Sequence, residues 1–186
     1  YGEADEEYAL QVGDLGYYEL PRPTYFIAGN NEDFDVIEKM RAGENVGENV
    51  HLLASTVAEV GDLRVAGLSG NYAPTKFDME RDELEGERRR HFTRAEVEKA
   101  KILGDVDVFL SHEAPHGLLR KGGYDVGCKH VDEILEQLEP RLCLVGHHHE
   151  HAESDFGNTR VISLAPVWEA YYVLDTETLE LEKRDW

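Results

Sequence analysis

Leu142-Cys143-Leu144-Val145-Gly146-His147-His148-His149 runs from four apolar residues through a glycine into three histidines. A run this short and apolar reads as a buried strand, and the glycine marks where the chain leaves it. Alternation along extended backbone puts His147 and His149 on one side, and glycine allows close backbone approach, so a cation could sit against both imidazoles. The same residues also read as a solvated loop that binds metal adventitiously. The stretch by itself leaves both readings open.

Three further polar loops follow apolar runs in the same way: Val12-Gly13-Asp14, Ile27-Ala28-Gly29-Asn30 and Phe109-Leu110-Ser111-His112. Loops at the carboxyl ends of strands gather along one edge of a sheet, which is where open α/β architectures place their sites. A single histidine after a strand is usually structural. An Asp, an Asn and several His in one such arrangement are hard to obtain from packing alone.

Around these loops the pattern predicts alternating strands and helices. Tyr25–Ala28 reads as a strand and Asp33–Met40 as a helix opened by acids, while Val50–Leu53, Thr56–Val60 and Leu63–Leu68 read as neighbouring, hairpin-like strands. Residues 73–90 read as a long charged surface excursion. Thr93 with Glu96 forms a capping box for a helix running to Gly104, Val106–Leu110 is a buried strand, and Val131–Leu138 is an amphipathic helix stopped near Pro140. Val161–Leu164, Glu169–Asp175 and an arm at Leu179–Leu181 close the chain as strands. The expected fold is α/β, a four-layer α/β/β/α sandwich forming a single domain over residues 1–186.

The chain carries 39 acidic against 19 basic residues, a formal charge of −20, with the acids spread along its length and 41% hydrophobic residues. Such a chain folds and carries its charge on a solvated surface, as expected of a halophilic, haloarchaeal source, with an ordinary acidic cytosolic protein as the other reading. The charge disfavours diffuse phosphate contacts with nucleic acid, although a metal or a locally positive site can still take a phosphate. Cys128 and Cys143 are isolated, compatible with a reducing cytoplasm, and Cys143 reads as a small core residue. No apolar run reaches the length of a membrane span, so a soluble, cytoplasmic protein is expected.

Taken in order, these loops resemble the calcineurin-like metallophosphoesterase superfamily, whose pattern is Asp-x-His, Gly-Asp, Gly-Asn-His-Asp/Glu, a lone His, then Gly-His-x-His. Gly13-Asp14, Gly29-Asn30-Asn31-Glu32, His112 and Gly146-His147-His148-His149 match the last four blocks. The resemblance implies that Asp14 bridges two divalent ions, that Asn30, His112 and His147 complete one ion's shell, and that His149 helps hold the other. Mn²⁺, Fe or Zn²⁺ would suit these donors. A pair of such ions would activate a bridging water and clamp the phosphoryl oxygens of a phosphoester, here a phosphodiester, of a nucleotide or RNA.

Two departures qualify this. No Asp-x-His precedes Asp14, so a first βα unit and two ligands of the second ion are expected to be missing from the sequence, leaving one complete metal site. Asn31 stands where the family places a histidine at the catalytic position; it can hydrogen-bond a phosphate oxygen but donates no titratable proton, with His116 and His148 as weak substitutes. Gly67-Leu68-Ser69-Gly70-Asn71-Tyr72 and Asp107–Pro115 look most like the lariat-RNA debranching enzymes and their prokaryotic relatives, although Gly-Leu-Ser-Gly also reads as a tight strand connection. Arg88-Arg89-Arg90 could meet a phosphate-rich substrate but reads more simply as a solvated run. The rival to an enzyme is a non-catalytic binding module with a degenerate site. A structural zinc domain fits poorly, since neither cysteine is near the histidines.

Overall fold

The structure, a computed structural model, describes residues 6–185. Along the chain come strands Ala9–Gln11 (β1) and Thr24–Phe26 (β2), helix Phe34–Arg41 (α1), and strands Val50–Leu52 (β3), Thr56–Val60 (β4) and Leu63–Leu68 (β5). Helix Arg94–Lys101 (α2), strand Val108–Ser111 (β6), a small hairpin of Arg120–Lys121 (β7) and Tyr124–Asp125 (β8), and helix Lys129–Leu138 (α3) follow. Strands Leu142–Val145 (β9), Ala152–Phe156 (β10), Thr159–Ser163 (β11), Ala170–Leu174 (β12) and Leu181–Asp185 (β13) complete it.

β1, β2 and β3 form a parallel three-stranded sheet, and six strands form a second sheet in the order β10-β11-β9-β6-β5-β4. In the second sheet β5, β6, β9 and β11 run parallel, with antiparallel β4 and β10 at its edges. Side-chain alternation sorts the core into layers. Val108, Leu110, Leu142 and Leu144 point at Ile27 and Leu53 between the sheets, whereas Phe109, Cys143 and Val145 point at Val97, Ala100, Val131 and Ile134 of α2 and α3. On the far side Phe26, Ala28 and Val50 pack on Ile37 of α1. The predicted α/β/β/α order is therefore present, and each fully buried Leu, Ile or Phe contributes roughly 2 kcal/mol to holding it. At Gly67 the sheets come so close that a Cβ would collide with Ile27.

Several elements differ from the sequence reading. β3 and β4 are not neighbours: β3 pairs with β2, and the chain crosses to the other sheet at Ser55, whose φ is 54°. α2 ends at Lys101, leaving Ile102 81% exposed beyond it. The 73–90 excursion is only partly surface, because Phe77 and Leu84 are buried and Phe77 stacks 3.9 Å from the ring of His130. The capping box is present, Thr93 and Glu96 each meeting the other's backbone N–H. Ser69 also turns out to be structural: buried, it accepts from the Ala28 amide at 2.9 Å and donates to the Leu53 carbonyl at 2.8 Å, tying the two sheets together. Cys128 and Cys143 are both free and buried.

Candidate metal centre

Parallel register sets the site. Ser111 lies opposite Val145, so His112 leaves β6 beside the point where Gly146 leaves β9, and Gln11 opposite Phe26 brings Gly13-Asp14 against Ala28-Gly29-Asn30. Glycine is required at these corners. A Cβ on Gly13 would strike the His112 ring, one on Gly29 the Asp14 carboxylate, and one on Gly146 the Val12 carbonyl.

His112 is 1% exposed, and its Nδ1 lies 2.8 Å from the Val12 carbonyl. A carbonyl only accepts, so Nδ1 carries the proton and Nε2 presents a lone pair. That lone pair faces Asn30 Oδ1 at 2.9 Å and His147 Nδ1 at 3.1 Å, with Asp14 Oδ1 at 3.9 Å. Burial holds both His112 and His147 below the ordinary histidine pKa, so the rings stay neutral and their lone pairs available. Two imidazole nitrogens and an amide oxygen thus gather at one point beside a carboxylate, a donor set that suits a divalent cation. Ligand atoms at right angles around an ion with bonds of about 2.1 Å stand about 3 Å apart, close to the 2.9 and 3.1 Å spacings here. Among the described residues no three His, Cys, Asp or Glu side chains form a cage by themselves. Asp14, His112 and His147 are therefore not arranged as a cage on their own, and Asn30 Oδ1 is the further oxygen that stands against His112 Nε2.

The backbone is strained where the donors sit. Six described non-glycine residues have positive φ, and Asp14 (59°), His147 (63°) and His149 (54°) are three of them. Each costs on the order of 1 kcal/mol, and such outliers gather at functional sites.

The other predicted residues fall into place around this cluster. Asn31 turns towards Asp14, its backbone N–H donating to Oδ1 at 2.8 Å and its Nδ2 to Oδ2 at 3.0 Å. His149 stands apart from the contact chain, its ring edge-on to Trp168 with centroids 5.2 Å apart. His148 is pushed down to about 4, chiefly by burial and then by His147, so it is neutral at neutral pH and has no proton to give as a general acid. His116 is engaged by Asp132, whose carboxylate takes its Nδ1 at 2.6 Å and its backbone N–H at 2.9 Å. In the arginine run, Arg89 pairs with Asp35 at 2.8 Å and Arg90 lies 3.9 Å from Glu87.

Sequence reasoning gave no role to Glu32, which clamps the two glycine loops. Its Oε1 accepts from Leu15 and Gly29 amides at 3.0 and 3.2 Å, and its Oε2 from the Tyr18 hydroxyl at 2.7 Å. The available signal was an acid two residues beyond Asn30 in the same block. Trp168 was also passed over; it is 68% exposed beside His149.

Two stacked sheets flanked by helices, with polar donors at parallel strand ends, define a metallophosphoesterase architecture. The chain belongs to the calcineurin-like phosphoesterase family, whose pattern matches residues 1–151. It is similar to the lariat debranching enzyme of Schizosaccharomyces pombe, at 28% identity over 75% of this chain and 36% of that one. It is also similar to that of Drosophila pseudoobscura pseudoobscura, at 30% over 69% and 29%, and that of Entamoeba histolytica, at 26% over 84% and 52%. The chain thus spans about a third to a half of the curated relatives it matches. A solved structure from Thermus thermophilus shares the fold with a TM-score of 0.60 and 22% identity, covering 88% of this chain and 72% of that one. Another reaches 0.68 with 20% identity over 89% and 66%.

Proposed function

We propose that residues 1–186 form one metallophosphoesterase domain that hydrolyses phosphodiesters with a divalent cation held by Asp14, Asn30, His112 and His147. The observation that carries this reading is the convergence of Asn30 Oδ1 and His147 Nδ1 on His112 Nε2 at 2.9 and 3.1 Å, with Asp14 and His147 held in left-handed backbone. Mn²⁺, Fe or Zn²⁺ fits a carboxylate, amide and imidazole set, and such an ion supplies an activated water and neutralises phosphoryl charge. His112, locked by Val12, keeps Nε2 aimed inward. Asn31 holds the Asp14 carboxylate with one Nδ2 proton and keeps the second for a phosphoryl oxygen, which gives it the catalytic position without acid chemistry. His149 is assigned to a second cation. The relatives being lariat debranching enzymes, RNA is the substrate class proposed, and a cytoplasmic, salt-adapted protein the setting.

Calorimetric titration with Mn²⁺ tests the site. Binding is expected for the unmodified protein and a loss of on the order of a hundredfold or more in affinity for Asn30→Ala and His147→Ala. Unchanged affinity in both variants would sink the assignment.

A further inference from the structure

Trp168 is an exposed aromatic residue that the proposed chemistry does not use. It lies on the loop between β11 and β12, and because β11 is parallel to β9 this loop leaves the sheet at the same edge as Gly146-His149. The backbone link is direct: the Leu164 amide donates to the Val145 carbonyl at 2.9 Å, holding the start of the Trp168 loop against the end of β9. The indole is 68% exposed, yet it is positioned, meeting the His149 ring at 5.2 Å and an interplanar angle of 86°. In a chain of net charge −20, a large neutral ring beside His149, on the sheet edge that carries the candidate centre, is a surface that does not repel a polyanion.

We infer that Trp168 is a specificity-determining residue, a stacking platform for a nucleobase of the substrate whose phosphodiester lies at the Asp14–Asn30–His112–His147 cluster. This rests on the phosphodiesterase reading and sharpens it to one contact. An indole face takes any base, since every base has a π-face, and so selects base-bearing phosphodiesters over plain ones without reading sequence. His149, edge-on to the same indole, sets the distance between the stacked base and the cluster.

Two esters with one leaving group separate the outcomes: the p-nitrophenyl ester of thymidine 5′-phosphate and methyl p-nitrophenyl phosphate, assayed with Mn²⁺. In Trp168→Ala the preference in kcat/KM for the thymidine ester should fall about tenfold, the size of one base–aromatic stack, mostly through KM, and Trp168→Phe should restore most of it. An equal loss on both esters, or an unchanged preference, overturns the inference and leaves Trp168 as a support for His149. Should the unmodified protein cleave neither ester, the phosphodiesterase reading has failed. Base stacking then remains open to a direct test. Trp168 and Trp186 are the two tryptophans, so in Trp186→Phe the indole emission reports Trp168. Adenosine 5′-monophosphate with Mn²⁺ should quench it saturably where ribose 5-phosphate does not; equal responses to both overturn the inference.

Discussion

At Asp14, His147 and His149 the chain accepts left-handed backbone without glycine, and at Gly13, Gly29 and Gly146 it uses glycine because no Cβ fits. The two features coincide where loops from both sheets converge on the proposed cation site, with His149 at its margin. Gly29→Ala tests this without touching a ligand, because its Cβ would displace the Asp14 carboxylate. Mn²⁺ affinity should fall by about tenfold or more while the far-ultraviolet circular dichroism is kept; undiminished affinity would show that Asp14 need not stand where it does. The loops that carry Asp14, Asn30, His112 and His147 were legible in the sequence because each follows an apolar run, whereas the choice of these four residues rested on the resemblance to the family pattern. Glu32 was not, since its partners Leu15, Gly29 and Tyr18 become neighbours only when two separate loops are stacked.

Among the elements, α2 and α3 carry two tests. Thr93 and Glu96 close the capping box of α2, so Thr93→Ala should lower stability by about 1 kcal/mol in urea denaturation. No change in midpoint would contradict the box. In α3, His130 is 3% exposed, stacked on Phe77 and edge-on to Tyr72 and Phe92, with Glu133 3.3 Å from its Nδ1. Burial depresses its pKa despite Glu133. The folded chain therefore binds this proton less readily than the unfolded one, so the stability from neutral His130 is complete above the unfolded value of about 6.5 and is lost as pH falls through it. Thermal midpoints measured from neutral pH downward should decline less steeply in His130→Phe than in the unmodified protein; parallel slopes would contradict this. The strands themselves were readable from apolar runs, but the sheet to which each belongs was not. Leu53-Ala54-Ser55 looks like a short hairpin link, whereas Leu53 donates to Phe26 of one sheet and Ser55 to Gly67 of the other. β10 was legible and overlooked, since Glu153 and Asp155 alternate with half-buried Ala152, Ser154 and Phe156.

The whole molecule couples a conventional layered core to a surface of net charge −20. Raising KCl from about 0.1 to about 1 M shortens the screening length from about 10 to about 3 Å, which weakens the self-repulsion of that surface. The thermal midpoint should rise over this range, and a fall would mean that attractive ion pairs such as Lys101–Glu133 outweigh the repulsion. The four layers were foreseeable because Val108–Leu110 and Leu142–Val145 are apolar on both faces, as strands covered on both sides must be. The central claim is that the edge shared by these strands holds a cation and uses it on phosphodiesters. Its most direct test is Mn²⁺-dependent hydrolysis of bis(p-nitrophenyl) phosphate by the unmodified protein and by His147→Ala. Metal-dependent turnover that drops on the order of a hundredfold or more in the variant is the predicted result, and full metal-dependent turnover retained by His147→Ala would contradict it.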